Sequence, residues 1–266
     1  MTTIANMADY KVSYAPPTGK PLGTNLAISV ITKTLIPILN LVGKKDWRGG
    51  ENIPKSGKII IASNHVSYLD VFFFAHFIFR NGRAPRYIGK EGVFRVPVIG
   101  KILLAAGQVP VVRESKDASK ALQHAVKLLE AGHCLGVYPE GTLTRDPNGW
   151  PMVAKTGLAR LAIITKTPVV PVAQWGSQLV MPTYEKKVKV FPRSPIKILA
   201  GKPLDFSPWY GKENDPIALA EASAFAMRAI TDLLEQLRGE KRPVAIFDPH
   251  DSDLPRTGNF KKPKKK

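Results

Sequence analysis

Short apolar runs of strand length alternate along this chain with longer stretches of helical spacing, and that alternation narrows the fold more than any other feature. Lys58–Ala62 is β-branched, follows Pro54 and Gly57, and reads as a buried strand. Pro85–Lys90, Gly107–Arg113, Cys134–Tyr138 and Pro168–Gln174 read the same way, and Val188–Val190 and Ile196–Ile198 read as late strands. Between them lie helical stretches: an aromatic run from Val71 through Phe79, Ser115–Ala131 with Ser115 or Asp117 as cap and Gly132 as stop, and Thr156–Thr165. Pro216–Arg238 is a final amphipathic helix with proline in its first turn. Strands alternating with helices make an α/β domain with a largely parallel sheet. In such sheets functional residues collect where strands end, facing a crevice.

The 266 residues hold one sizeable domain with appendages. The chain divides into a flexible N-terminus (1–24), an apolar element (25–47), the α/β domain (48–240) and a basic flexible tail (241–266). Its formal net charge is +18, a field that favours anionic partners: nucleic acid, anionic membrane or phosphorylated substrates. Part of that charge belongs to the tail, where Lys261, Lys262, Lys264, Lys265 and Lys266 cluster. Against nucleic acid, the lysines do not alternate with aromatics along a groove. The lone cysteine, Cys134, excludes an internal disulfide and a cysteine-based metal cage. The first two dozen residues are polar and proline-containing, without a signal-peptide core.

Leu26–Val42 carries ten aliphatic residues interrupted by Lys33 and Pro37. A spanning helix needs about 20 apolar residues, so this stretch reads as a helix or broken helix pair in a membrane interface, with Lys44, Lys45, Trp47 and Arg48 at headgroup level. The alternative is an amphipathic helix packed on the domain's own core. Apolar burial at about 1.5–3 kcal/mol per side chain would outweigh the roughly 1 kcal/mol per lysine from an anionic surface.

His65 and Asp70 sit where the first central strand hands over to the aromatic helix, in Ser63-Asn64-His65-Val66-Ser67-Tyr68-Leu69-Asp70. Inside one helix they would be roughly 140° apart and could not meet. A turn at His65 with helix entry near Ser67 lets the imidazole fold back to the carboxylate. A neutral imidazole, with an unperturbed pKa of about 6.5, can take a proton from a hydroxyl, and a carboxylate on its other nitrogen fixes the tautomer. The same residues also fit a helix cap, with Ser67-x-x-Asp70 close to a capping box.

Arg113 and Glu140 stand at two further strand ends. Arg113 is a cation suited to a phosphate or a surface cation closing a strand; Glu140 is a site acid or a turn acid after Pro139. His133 and Cys134 are adjacent on a strand and point to opposite faces, so they form no nucleophile–base pair, and Cys134 is read as a small core residue. His76 and His124 have helical packing or surface roles. His250, among Asp248, Asp251 and Asp253, lies in a flexible acidic loop, and Trp150, Trp175 and Trp209 fill the core.

Asn64-His65-x-x-x-x-Asp70, Gly107–Arg113, Pro139-Glu140-Gly141-Thr142 and Val169-Val170-Pro171-Val172, in this order, resemble the four motifs of the glycerolipid acyltransferase family over roughly residues 48–205. The nearest branch is the 1-acyl-glycerol-3-phosphate acyltransferases. The resemblance implies a mixed, largely parallel sheet flanked by helices with an N-terminal membrane-associating helical element. It implies His65 as general base, Asp70 as its orienting partner, Arg113 on the acceptor's phosphate, and Glu140, Gly141 and Thr142 shaping the acceptor site, with Glu140 near its hydroxyls. Lys155 matches a position where the family often carries a basic residue, and Pro171 is architectural. The family's third motif commonly continues with arginine, where this chain has Leu143. Arg145 could reach the same phosphate, or Leu143 could mark a different acceptor.

The expected enzyme is a membrane-associated O-acyltransferase on a cytoplasmic face, moving an acyl chain from acyl-CoA or acyl carrier protein to 1-acyl-glycerol-3-phosphate and needing neither cofactor nor metal. Glycerol 3-phosphate or another lysophospholipid are alternative acceptors. A non-catalytic basic membrane-binding module is the rival of another class.

Overall fold

The computed structural model describes residues 12–111, 117–185 and 187–251. Seven strands, β1 (Gly43–Arg48), β2 (Ile59–Ser63), β3 (Pro85–Lys90), β4 (Val109–Val111), β5 (Cys134–Val137), β6 (Val169–Trp175) and β7 (Ser194–Ala200), form one sheet of order β1-β7-β6-β2-β5-β3-β4. Strands β2 to β6 run parallel; β7 pairs antiparallel with β6, and β1 parallel with β7. The helices are α1 (Leu26–Val42), α2 (Asp70–Arg80), α3 (Glu91–Phe94), α4 (Ile99–Ala105), α5 (Asp117–Glu130), α6 (Gly157–Thr165), α7 (Ser177–Val180) and α8 (Pro216–Arg238). The class is α/β, with a mixed, mostly parallel sheet flanked by helices.

Strand alternation assigns the two layers. Ile60 and Ala62 of β2 join Leu135 and Val169 in a core with α5, α6 and α8. Ile59 and Ile61 face the other way, with Cys134, Val170 and Val172, onto Phe73, Phe74 and Phe77 of α2 and Leu39 of α1. All five residues of β2 are buried, which is why it lacks polar alternation. Helix α8 begins with Pro216 behind Asp215, whose carboxylate accepts the Ile217 and Ala218 N–H groups, and ends at Gly239 in the left-handed region.

Several expectations are refined. Lys44, Lys45, Trp47 and Arg48, expected only as headgroup-level residues flanking the apolar element, form the edge strand β1, so the sheet begins at Gly43. Trp47 sets its ring edge-to-face against His76 and Phe77, at 4.8 and 5.8 Å between centroids, and a side chain on Gly43 would come within 2.6 Å of Ile196. Val188–Val190 has no strand; Lys189 N–H instead donates to the Val180 carbonyl. Leu26–Val42 is one helix running through Pro37, capped by the Asn25 side chain accepting from Ile28 N–H. It buries Ile28, Leu39 and Val42 and exposes Leu26, Val30, Ile38 and Leu41. Among the described residues no helix is long and apolar enough to cross a membrane.

Residues 12–24, read from composition as a flexible lead-in, lie along the domain. Ala84 N–H donates to the Leu22 carbonyl, and Tyr14 and His124 share a hydrogen bond. Ser115, Asp253 and the lysines of the tail lie outside the described residues.

Candidate active site

Because β2, β5 and β3 are parallel, their C-terminal ends line one edge of the sheet. The chain leaves β2 at Ser63, and Asn64 extends the β2–β6 pairing by one side-chain rung. Its amide accepts from Gln174 N–H at 2.8 Å and donates to the Gln174 carbonyl at 3.0 Å. Gln174 replies with Nε2 on the Asn64 carbonyl at 3.0 Å. His65 therefore emerges from a clamped position. Its N–H donates to Glu140 Oε1 at 3.0 Å, and its carbonyl accepts from Thr144 N–H at 2.8 Å.

His65 Nδ1 lies 3.0 Å from Asp70 Oδ2. That same oxygen accepts the N–H groups of Val66 and Ser67, and Oδ1 accepts the Ser177 hydroxyl. Four donors thus converge on one fully buried carboxyl group at the first residue of α2. An ionised carboxylate accepts and cannot donate, so the imidazole partner carries its proton on Nδ1 and leaves the Nε2 lone pair for chemistry. The capping and catalytic readings of Asp70 coincide: it holds the turn's N–H groups and the ring together. Ser67 works on the turn as well, its hydroxyl accepting from Leu69 N–H and donating to the Met181 carbonyl. The helix itself starts at Asp70, later than the expected entry near Ser67.

The imidazole keeps 17% of its side-chain surface exposed. One face stacks on Tyr138, centroids 4.1 Å apart and planes 21° apart, and Tyr138 in turn leans on Phe74. The ring is open to an incoming group and restrained in rotation.

Glu140 is 1% exposed, and its oxygens accept the N–H groups of His65 and Met152 at 3.0 and 3.1 Å. Burial pushes its carboxyl up to about 8, while those two N–H bonds pull the other way. The side chain lies beneath the His65 turn and holds its backbone. Gly141 has φ +70, and Lys155, exposed, lays its stem against it, 3.2 Å from where a Cβ would stand. Thr142 is partly exposed beside them. Leu143 and Arg145 are both buried at 2%; the Tyr184 hydroxyl donates to the Leu143 carbonyl, and the Arg145 charge lowers the Tyr184 pKa against the larger effect of burial. Arg113 lies outside the described residues.

The site thus gathers His65, Asp70, Glu140, Gly141, Thr142, Arg145 and Lys155 around one strand-end turn. Sequence reasoning missed Tyr138, Gln174 and Ser177. Tyr138 adjoins Pro139-Glu140 and was nearest to discovery; no local pattern marks the other two.

The remaining candidates are structural. His76 is buried, which with the nearby Lys45 and Arg80 charges lowers its pKa to about 4. His133 pairs through Nε2 with the Ala15 carbonyl. Cys134 is buried and its thiol is pushed up to about 12. Trp150 and Trp175 sandwich the Arg238 guanidinium, each at 4.1 Å.

The acyltransferase family model matches residues 45–175. A chloroplastic 1-acyl-sn-glycerol-3-phosphate acyltransferase of Brassica napus is 30% identical over 65% of this chain and 47% of its own length. A 1-acyl-sn-glycerol-3-phosphate acyltransferase of Bacillus subtilis is 29% identical over 75% of this chain and 94% of its own. The chain spans about half the length of several curated relatives it matches. The fold resembles the crystal structure of the 1-acyl-sn-glycerophosphate acyltransferase PlsC of Thermotoga maritima, with a TM-score of 0.61 at 22% identity over 81% of each chain. The matched segment, which runs from the edge strand through β6 and encloses the His65–Asp70 turn, is an acyltransferase-family domain.

Proposed function

We propose that this chain transfers a fatty acyl group from the thioester of acyl-CoA or acyl carrier protein to the free hydroxyl of 1-acyl-glycerol-3-phosphate, yielding phosphatidic acid. The observation that carries the reading is the 3.0 Å contact of His65 Nδ1 with a carboxyl group locked by three further donors. His65 Nε2 takes the hydroxyl proton as the oxygen attacks the thioester carbonyl carbon. The tetrahedral intermediate collapses with cleavage of the C–S bond, and the imidazolium returns the proton to the departing thiolate. Asp70 stabilises the imidazolium in between. Lys155, Arg145 and Arg113 are the cations assigned to the acceptor's phosphate, and Gly141 and Thr142 form the floor beneath it. Anchorage is assigned to α1, whose outward Leu26, Val30, Ile38 and Leu41 enter one leaflet of an anionic membrane on its cytoplasmic side.

Leu143 is buried and its backbone carbonyl is bonded, so this position presents no charge to an acceptor. Glycerol 3-phosphate and lysophospholipids with larger headgroups are therefore tested in the same assay. Incubation of the protein with radiolabelled acyl-CoA and each acceptor, with products separated by chromatography, should give labelled phosphatidic acid from 1-acyl-glycerol-3-phosphate. Preference for another acceptor would reassign the substrate. Labelled product from none, with either acyl donor, would leave the basic membrane-binding module.

A further inference from the structure

The loop that leaves β3 carries an apolar ridge that the acyl-transfer chemistry does not use. We propose that this ridge, formed by Val93, Val96, Val98, Ile99 and Ile102 in and around α3 and α4, is a second membrane foothold beside α1. It rests on the reading of α1 as an interfacial anchor, and assigns the other half of the contact.

All five side chains are exposed, Val98 at 65%. They project where the chain turns between two short helices. Gly100 lets those helices meet, since a Cβ there would stand 1.9 Å from the Phe94 carbonyl oxygen. At the turn, Ile99 N–H donates back to the Pro97 carbonyl at 2.8 Å, and Val98 between them adopts φ 67, ψ −56. This is a γ-turn of the strained hand, occupied by a β-branched residue for which positive φ is unusual. The sequence thus accepts backbone strain to hold an aliphatic side chain in solvent. Apolar side chains clustered at one exposed tip mark a contact surface rather than scattered exposure.

Position and charge select the occupant. β3 ends on the same sheet edge as β2 and β5, so the ridge starts out from the rim on which His65 opens. The far end of α4 is tied to the start of α1 through the Asn25 side-chain amide on the Ala105 carbonyl at 2.8 Å. The ridge and α1 are therefore neighbours, and in the proposed arrangement their exposed faces share one side of the molecule. Neither Leu26–Lys45 nor Gly92–Val111 contains a single acidic residue, whereas Lys33, Lys44, Lys45, Arg95 and Lys101 lie within them. Arg95 is paired to Glu91 at 2.9 Å; Lys33 and Lys101 are exposed. Aliphatic tips set among cations, with the neighbouring acid Glu91 buried and paired to Arg95, fit the surface of an anionic bilayer. Two footholds fix orientation where one would allow rolling, and they bring the edge bearing His65 to the lipid plane.

The test uses the full chain. Cys134 is the only native cysteine and is buried, so Ile99→Cys and, on the opposite layer, Lys212→Cys can each carry a polarity-sensitive fluorophore. Vesicles of mixed phosphatidylcholine and phosphatidylglycerol should shift the probe at 99 to the blue and leave the probe at 212 unmoved. The double variant Val98→Ser, Ile99→Ser should bind these vesicles about tenfold less tightly. It should lose turnover of a vesicle-embedded acceptor in proportion and keep turnover of a short-chain water-soluble one. Protein that sediments with vesicles while the probe at 99 stays unshifted overturns the foothold and leaves the α1 anchor standing. Failure to sediment at all overturns both. A blue shift that grows with protein concentration without vesicles reassigns the ridge to a second copy of this chain. A vesicle-dependent shift in a protein without turnover of the soluble acceptor upholds the foothold and removes the acyltransferase activity.

Discussion

Two loops leave parallel strands of the same sheet on the same edge and are built on opposite terms. The turn after β2 is fastened by partners remote in sequence: Gln174, Glu140, Thr144, Thr183, Ser177 and Met181 all bond to residues 64–70. The bonds shaping Arg95–Gly100 after β3 are short-range: Arg95 N–H to Glu91, Val96 N–H to Val93, Ile99 N–H to Pro97 and Gly100 N–H to Val96. The first loop buries its polar groups and satisfies them; the second puts apolar groups into solvent and strains the backbone in doing so. Preorganisation is what a reacting group needs, because an imidazole misplaced by an ångström loses most of its effect. A surface that meets lipid needs no such fixity, only area and the right charge around it.

The contrast is sharpest under substitution. His65→Ala should lower acyl transfer by about 10²–10⁴-fold with the thermal midpoint little changed, measured by initial rates and calorimetry. Wild-type turnover would end the assignment of the base. Asp70→Asn places an amide among the donors that now converge on a carboxyl group, and should cost about 10²-fold or more in rate. It should also lose roughly 1–3 kcal/mol of stability as buried donors go unpaired. A variant as stable as the parent would mean that the turn does not depend on this carboxyl group.

Glu140 supplies a pH test. Its folded pKa is about 8 against an ordinary value of 4.5, so between those limits the folded chain keeps a proton that the unfolded chain has released. Stability should therefore fall as pH rises from about 4.5 to about 8, and level off above. Glu140→Gln should be less stable, with that part of the slope gone; an unaltered slope in denaturant titrations would assign it to other groups. The smallest effect belongs to the other loop. Val98→Gly relieves the γ-turn strain at an exposed position, and should stabilise by about 1 kcal/mol after the entropic cost of glycine. That is a rise of roughly 2–4 °C in thermal midpoint, with turnover of a soluble acceptor unchanged. Destabilisation would mean that the Val98 side chain packs usefully after all.

The sequence made some of this legible for identifiable reasons. β2, β5 and β6 were plain because central parallel strands are apolar on both faces. His65 and Asp70 were plain because both lie on one short segment between a strand and a helix. β1 was hidden because an edge strand with four exposed positions can carry Lys44, Lys45 and Arg48. Val188–Val190 misled because apolar–basic–apolar spacing mimics a half-buried strand, while Arg113 lies outside the described residues. Gln174 and Ser177 could not be found at all. They reach the site across 110 and 107 positions of chain, and a single polar residue has no pattern to betray it.

Tyr138 covers one face of the reacting imidazole like a shutter. For the proposed alcohol acceptor, the Nε2 lone pair already lies in the plane of the heterocycle, and the phenol ring closes one of the two faces from which the rest of the molecule could crowd in. Under the proposed reaction, selectivity among alcohols is in this way partly a matter of direction, decided before any contact with a charged group.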